Sequence, residues 1–323
     1  MEIARAEVPL SQRDAAELAG LWNAVFGEPL AEFGPVLGGT ECEHNRSTVF
    51  WAREAGRLAG ACYLTLSRAV TSVGGLGGVA VLPQFRRRGM ATALCEAARS
   101  EFHAQGGEAL FLATSNPAAA RIYHRLGWRK LAGANVWTCV SRRESPEEFL
   151  VRYFGQEAAP TVRTGGAAER ITIIPLIVTP HDWHVLDVNA AILSTRYAVQ
   201  ASCMGLYPRY EGIFAGGAGS WFAACLPDGR TVGLATARIR EPDAAVVDGF
   251  THWRHARVWH NLIEAALAWA WSHGAQTARA FACVDDEEKQ GLFGSMGFHV
   301  VGGAAELELT SARLPCRRLE KAA

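Results

Sequence analysis

The chain has 323 residues, 49% of them hydrophobic and 20% charged, which indicates a globular protein with one large or two ordinary cores. Its 32 basic and 32 acidic residues cancel, and this argues against nucleic acid or an anionic membrane as the main partner. No apolar run is long enough to span a membrane and no signal-peptide pattern opens the chain, so we expect a cytoplasmic protein. The eight cysteines include no CxxC pair and lie mostly in apolar runs, which is typical of reduced, buried thiols.

The first part of the chain has the patterns of a mixed α/β protein. We predict a strand at residues 2–8, a helix at 14–26, a loop at 27–45 and two further strands at 49–53 and 57–65. The next candidate strand, near residues 70–81, contains Gly74, Gly75, Gly77 and Gly78. So many glycines predict a β-bulge, or a ligand that lies against the backbone.

Residues 79–94 are the most informative stretch, because a short apolar strand there leads through a basic turn into a helix. Pro83 cannot donate to a strand ladder and therefore ends the strand. The helix keeps apolar residues on one face through Phe102, and its first N–H groups have no partners within the helix. Three basic side chains stand beside this positive helix end, which predicts an anion site for a phosphate or pyrophosphate. They are Arg86, Arg87 and Arg88.

The segment Arg86-Arg87-Arg88-Gly89-Met90-Ala91 resembles the acetyl-CoA motif of the GCN5-related N-acetyltransferase (GNAT) family. A second segment adds to this resemblance. Residues 110–114 read as a strand, Ser115 or Asn116 can cap the helix that follows, and Gly127 can end that helix. Asn116, Tyr123 and Gly127 have the spacing of the family's second signature, and the two segments occur in the expected order.

The resemblance implies acetyl-CoA as co-substrate and no metal. It implies that the N–H groups of residues 79–81 bind the pantetheine arm and polarise the thioester carbonyl. Asn116 would hydrogen-bond the pantetheine, and Tyr123 would protonate the leaving thiolate as a general acid. The residues expected to bind acetyl-CoA are Val79, Ala80, Val81, Arg86, Arg87, Arg88, Gly89, Met90, Ala91, Thr92 and Asn116.

Several of these roles have simpler alternatives. Asn116 can be a helix cap alone, and Tyr123 can be a core aromatic. The general base is open, because residues 70–82 contain no carboxylate where the family often has a glutamate. Other candidates precede the second strand, although each is better explained as a solvated surface residue: Glu28, Glu32, Glu41, Glu43 and His44. No base is needed if the amine arrives neutral.

The predicted strands and helices of the second half of the chain follow the same order as those of the first, which indicates an internal repeat. Two domains with a linker between them are therefore predicted. Residues 1–145 are predicted to be the acetyl-CoA-binding domain, 146–170 a linker, and 171–316 a second GNAT-like domain. In that domain a strand is predicted at 171–174 and a helix at 184–193. Its turn near 253–259 lacks a glycine, residues 285–288 are all acidic, and Phe293 stands in place of Tyr123. We therefore expect the second domain to be degenerate and unable to bind acetyl-CoA.

The predicted fold is mixed α/β with two tandem GNAT-like domains. The predicted function is acetyl transfer from acetyl-CoA to a primary amine of a small molecule or peptide. The alternatives are a non-catalytic acyl-CoA-binding or protein-interaction module and, less well matched, an aminoacyl transferase of the peptidoglycan type, which lacks the basic loop. The sequence leaves the oligomeric state open, and a homodimer is among the alternatives. His252, His255 and His260 invite comparison with a zinc site, as do His181 and His184, but core and helix-start contacts explain these histidines better.

Overall fold

The computed structural model describes residues 2–27, 33–309 and 312–323, which form two compact units. One unit comprises Met1–Val151, Ala167–Ile174 and Ala201–Gly205, and the other comprises Arg152–Gly166, Pro175–Gln200 and Leu206–Ala323. Each unit contains a large mixed β-sheet with helices packed against it, which confirms the predicted α/β class.

The first part of the chain alternates strands and helices as the sequence predicts. Its strands are β1 (Ala4–Glu7), β2 (Asn45–Glu54), β3 (Arg57–Ser67), β4 (Val73–Val81), β5 (Ala109–Ala113), β6 (Arg129–Lys130) and β7 (Val136–Val140). Its helices are α1 (Gln12–Phe26), α2 (Phe33–Leu37), α3 (Met90–Ala104), α4 (Pro117–Arg125) and α5 (Pro146–Tyr153).

The helix ends in this part have clear local causes. Ser11 caps α1 by accepting a hydrogen bond from the Asp14 N–H at 3.1 Å, and Gly27 ends that helix with a left-handed φ of 77°. The buried face of α3, which includes Leu94 and Phe102, packs in the core beneath β2, β3 and β4. Caps and an apolar face together fix where these helices start, end and pack.

The seven-stranded sheet has the order β1-β2-β3-β4-β5-β7-β6. Only β4 and β5 run parallel, and their pairing covers Val73–Gly75 against Ala109–Phe111. Beyond Gly75, β4 continues to Val81 paired with β3 alone among the described strands. The two central strands therefore separate, which leaves one side of the later half of β4 unpaired in the sheet.

The rest of the chain contains the second large sheet and a separate two-stranded sheet. Its strands are β8 (Thr161–Thr164), β9 (Val185–Asp187), β10 (Ile192–Leu193), β11 (Gly219–Cys225), β12 (Thr231–Glu241), β13 (Ala244–Thr251), β14 (Thr277–Cys283), β15 (His299–Val300), β16 (Ala305–Leu309) and β17 (Ala312–Ala322). Its helices are α6 (Ile173–Val178), α7 (Leu206–Ala215), α8 (Trp259–Ser272) and α9 (Glu287–Ser295).

The second sheet repeats the strand order of the first, which supports the predicted internal repeat. It runs β8-β11-β12-β13-β14-β17-β15, and β16 adds to β17. Its parallel pair, β13 and β14, again covers only three residue pairs, from Ala244 with Thr277 to Val246 with Arg279. Both sheets therefore open between their central parallel strands.

Three predictions for the second half differ from the structure. No strand forms at 171–174: residues 171 and 172 are a turn, and 173 and 174 begin the helix α6. The predicted helix at 184–193 is the short antiparallel pair β9–β10. The predicted linker at 146–170 contains α5 and β8, and β8 forms the edge strand of the second sheet. An apolar run that is buried on all sides has no period that separates a helix from a strand, so the pattern alone misled.

All eight cysteines are free, and seven of them are buried, in agreement with the prediction of reduced thiols. Within the described residues, no helix has the length and apolar character needed to cross a membrane.

Candidate functional site

A β-bulge lies in β4 at the point where the strand has left β5. Ala80 pairs with Ala61 and Gly77 with Tyr63, so two residues of β4 face the single residue Cys62. Gly78 takes the left-handed φ of 58°, which favours glycine. This confirms the predicted bulge and places it at Gly78 and Val79, where the residues 79–81 begin.

Trp22 of α1 holds this bulge from one side. Its indole Nε1 donates to the Gly78 carbonyl at 2.8 Å, and a Cβ on Gly78 would come within 2.9 Å of the indole ring. The ring also packs edge-on against Tyr63 at a centroid distance of 5.8 Å. The sequence shows Trp22 only as one apolar residue of a helical face, so its part in shaping β4 was not predicted.

Side chains, rather than open space, lie against the other glycines of β4. A Cβ on Gly74 would meet the Phe102 ring, one on Gly75 would meet Met204, and one on Gly77 would meet Tyr63. These three glycines are therefore explained by close packing on both faces of the strand.

The basic turn holds its three arginines in different ways. The Arg86 Nε donates back to the Val81 carbonyl at 3.0 Å, and Arg88 lies 3.1 Å from the Glu54 carboxylate. Arg87 has a φ of 64° and an exposed side chain, with no charged partner in the part of the chain that the structure describes. All three arginines lie in the turn before α3, and among the described residues neither Arg86 nor Arg87 has a carboxylate partner that would compete with an added anion.

Gly89 is the N-cap of α3 and leaves the helix start open. Its φ is 80°, and no described side chain hydrogen-bonds to the first N–H groups of the helix. A Cβ built on Gly89 would meet nothing within 4 Å. Behind it, Met90 is buried and packs towards Gly60, while Ala91 and Thr92 are half-buried. The structure therefore offers uncapped N–H donors and free space beside basic side chains, which suits a phosphate group.

Tyr123 lies on α4 in the same apolar cluster as Val81 and Met90. Burial raises the pKa of its phenol far above the usual value, and the neighbouring thiols of Cys95 and Cys62 add to the shift. The phenol is therefore neutral at pH 7, and its hydroxyl has no hydrogen-bond partner among the described residues. A neutral, uncommitted phenol can donate a proton.

Asn116 caps α4, as the simpler of its two predicted roles requires. Its Oδ1 accepts from the N–H groups of Ala118 at 2.9 Å and Ala119 at 3.4 Å. The residue is exposed and lies at the end of β5, on the side where β4 and β5 have separated.

Among the candidate bases that the structure describes, Glu41 is already bonded to another side chain. Glu41 is buried, and both of its carboxylate oxygens accept hydrogen bonds from Arg170. Glu43 and His44 are exposed, and the remaining candidates, Glu28 and Glu32, lie outside the described residues.

The opening of the second sheet is filled by the protein itself. Lys289 and Asp248 form an ion pair at 2.7 Å with both side chains fully buried, and Lys289 also donates to the Val185 carbonyl at 2.7 Å. Phe293, which takes the place of Tyr123, is buried against Trp259. Buried side chains thus occupy the region where the first sheet is open.

The histidines considered for zinc have other partners. His252 stacks on Phe154 at 4.1 Å, and its pKa is lowered by burial to about 3. His260 hydrogen-bonds Ser295 at 3.0 Å. Among the described residues, the one group of three or more metal-ligating side chains includes none of His252, His255 and His260. It contains His184.

A family model described as the acetyltransferase (GNAT) family matches residues 17–128. No curated protein has detectable sequence similarity to the chain.

Three solved structures are among those similar to about half of this chain. The spermidine N-acetyltransferase from Vibrio cholerae, in complex with CoA and spermine, has 14% identity and a TM-score of 0.37, covering 51% of this chain and 95% of its own. A phosphinothricin acetyltransferase from Sinorhizobium meliloti, in complex with AcCoA, has 14% identity and a TM-score of 0.39, covering 51% and 88%. The GNAT domain of S. lividans PAT has 13% identity and a TM-score of 0.37, covering 51% and 90%. On the family match, the chain carries a GNAT acyltransferase domain at residues 17–128.

Proposed function

We propose that the first unit transfers the acetyl group of acetyl-CoA to a primary amine of a small molecule or peptide. One observation carries the proposal. β4 leaves β5 after Gly75, and after Val81 the chain passes through the basic turn into the uncapped start of α3. The freed strand edge and the helix start offer N–H donors in sequence, which suits a ligand with amides at one end and phosphates at the other.

In this proposal the pyrophosphate of acetyl-CoA binds at the start of α3. The N–H groups after Gly89 and the guanidinium of Arg87 donate to phosphate oxygens. The pantetheine arm lies along residues 79–81, and Asn116 lies at the far side of the gap. The acetyl-CoA site belongs to the predicted domain 1–145, and residues 171–316 do not form a second one.

The amine nitrogen attacks the thioester carbonyl carbon and forms a C–N bond, while the carbonyl oxygen gains negative charge that N–H donors stabilise. The tetrahedral intermediate then collapses, and the C–S bond breaks. Tyr123 gives its phenolic proton to the departing sulfur, so the products are an N-acetyl amine and CoA with a free thiol. The buried phenolate regains a proton released by the amine nitrogen, which leaves the proton balance at zero.

In this proposal the amine enters as the neutral base, and Glu41, which accepts hydrogen bonds from Arg170 on both carboxylate oxygens, takes no part. The acidic limb of the pH–rate profile should therefore follow the pKa of each amine tested. A limb that stays at one pH for amines of different pKa would point instead to a base supplied by the protein.

The test is release of free CoA thiol from acetyl-CoA with a panel of primary amines, run on the wild type and on Tyr123→Phe. Tyr123→Phe keeps the ring and its packing, so acetyl-CoA affinity should hardly change while turnover falls by about 10²–10⁴-fold. Equal turnover in the two proteins would remove Tyr123 from the mechanism. Tight acetyl-CoA binding without turnover on any amine would favour a non-catalytic acyl-CoA-binding module instead.

A further inference from the structure

A mixed group of donor side chains lies in the second unit, where β14 ends and the chain turns into α9. It combines the His184 imidazole, the Cys283 thiol and the Asp285 carboxylate, and these three donor atoms lie within 4.8 Å of one another. The turn is the topological counterpart of the one that carries Asn116 in the first unit, since it follows the corresponding strand of the repeated sheet. The proposed acetyl transfer uses none of these residues.

The imidazole of His184 is held in one orientation. Its Nδ1 lies 3.3 Å from Asp286 Oδ1, its backbone N–H donates to Asp286 Oδ2 at 3.0 Å, and its ring stacks on Tyr197 at 3.6 Å. Asp286 is the N-cap residue of α9, yet its side chain does not cap that helix and faces His184 instead. An Nδ1–H bonded to a carboxylate leaves Nε2 with its lone pair free, which is the arrangement found behind metal-bound histidines.

The spacing of the donors fits a tetrahedral ion. Zinc binds imidazole nitrogen and carboxylate oxygen at about 2.0–2.2 Å, so two such ligands on a tetrahedron lie about 3.4 Å apart. His184 Nε2 and Asp285 Oδ2 are 3.5 Å apart. A thiolate with an imidazole favours zinc over magnesium or calcium, which prefer oxygen ligands throughout. We propose that His184, Cys283 and Asp285 bind one Zn²⁺, with the fourth position open to water.

Burial and charge agree with this assignment. Cys283 is 1% exposed and lies in an apolar cluster beside Cys316, whereas the Asp285 side chain is 64% exposed and gives an ion access from solvent. The nearby Lys289 ammonium is neutralised by Asp248, so it does not oppose a cation. A thiolate and a carboxylate together balance the two charges of Zn²⁺.

The first experiment measures zinc in the full-length, untagged protein, purified under reducing conditions without chelator, by mass spectrometry of the metal. We expect one zinc per chain, removed by a strong chelator and regained on adding ZnCl₂. Cobalt added to the metal-free protein should give a thiolate-to-cobalt charge-transfer band in the near ultraviolet and the visible bands of a tetrahedral site. A metal-free protein that takes up neither ion would overturn the proposal, as would a Cys283–Cys316 disulfide in the reduced preparation.

Matched variants then separate a metal site from buried core thiols. Cys283→Ala should abolish the charge-transfer band, whereas Cys316→Ala removes a thiol of the same cluster and should leave it unchanged. Asp285→Ala alters an exposed side chain, so the protein should fold and lose zinc affinity, while Glu287→Gln removes a neighbouring charge without effect. Asp286→Asn should weaken zinc binding about 10–100-fold through His184. Equal zinc affinity in Asp285→Ala and Glu287→Gln would contradict the ligand assignment.

Discussion

Replacing Gly89 by valine should abolish acetyl-CoA binding while the first unit stays folded. A Cβ at this position enters space with no atom within 4 Å, so the side chain fits the ligand-free protein. It would, however, stand at the N-cap of α3, where the N–H groups are expected to receive the pyrophosphate. The substitution therefore blocks the space expected for the ligand without disturbing the packing of the ligand-free protein.

The expected loss of acetyl-CoA affinity can be compared with the folding stability that the substitution costs. Two hydrogen bonds to charged phosphate oxygens are worth about 1.5–3 kcal/mol each, so their loss should weaken binding about 100-fold or more. The left-handed φ of 80° costs a non-glycine residue about 1–2 kcal/mol of folding stability. Gly106 is the matched control, because it follows the other end of α3 with a φ of 78° and also has nothing within 4 Å.

The assay combines calorimetric titration with acetyl-CoA and chemical denaturation of the wild type, Gly89→Val and Gly106→Val. Both variants should lose similar stability, and only Gly89→Val should lose affinity. If Gly89→Val binds acetyl-CoA like the wild type, or if Gly106→Val loses as much affinity, the start of α3 is not the phosphate site.

Two further predictions concern buried polar groups. Trp22→Phe keeps an aromatic ring but removes the 2.8 Å hydrogen bond to the Gly78 carbonyl. Chemical denaturation should show a loss of about 1–3 kcal/mol in folding stability, and the KM for acetyl-CoA should rise. An unchanged KM would show that the bulge does not contribute to acetyl-CoA binding. Burial and the nearby Asp248 raise the pKa of Asp187 to about 7 from its usual 3.8, so the folded state retains a proton that the unfolded state loses between these values. The stability of Asp187→Asn relative to wild type should therefore rise by about 1.4 kcal/mol per pH unit from pH 4 to 7 and then level off, and a flat difference in denaturation midpoints would contradict the buried acid.

The elements of the proposed acetyl-CoA site could be predicted because local signals there agree with one another. Pro83 ends a strand, Gly89 opens a helix, and Asn116 with Pro117 starts the next one, each for a reason confined to a few residues. Such signals need no knowledge of distant contacts. They do not reveal Trp22, whose bond to Gly78 depends on how α1 packs against the sheet.

The failures lie where tertiary burial decides the structure. Residues 171–174 are β-branched and fully buried, and a buried helix and a buried strand share that composition. Pro175 was the available signal, since it occupies the first turn of α6, where a missing N–H removes no helical bond. His184 and Cys283 are far apart in sequence, so no linear spacing could show that they meet.

The central claim is that acetyl-CoA binds in the first unit and not in the second, whose opening is filled by Lys289 and Asp248. Calorimetric titration of the full-length chain with acetyl-CoA tests this most directly. The structure predicts one site per chain, removed entirely by Gly89→Val. Two sites per chain, or one site that survives Gly89→Val, would contradict it.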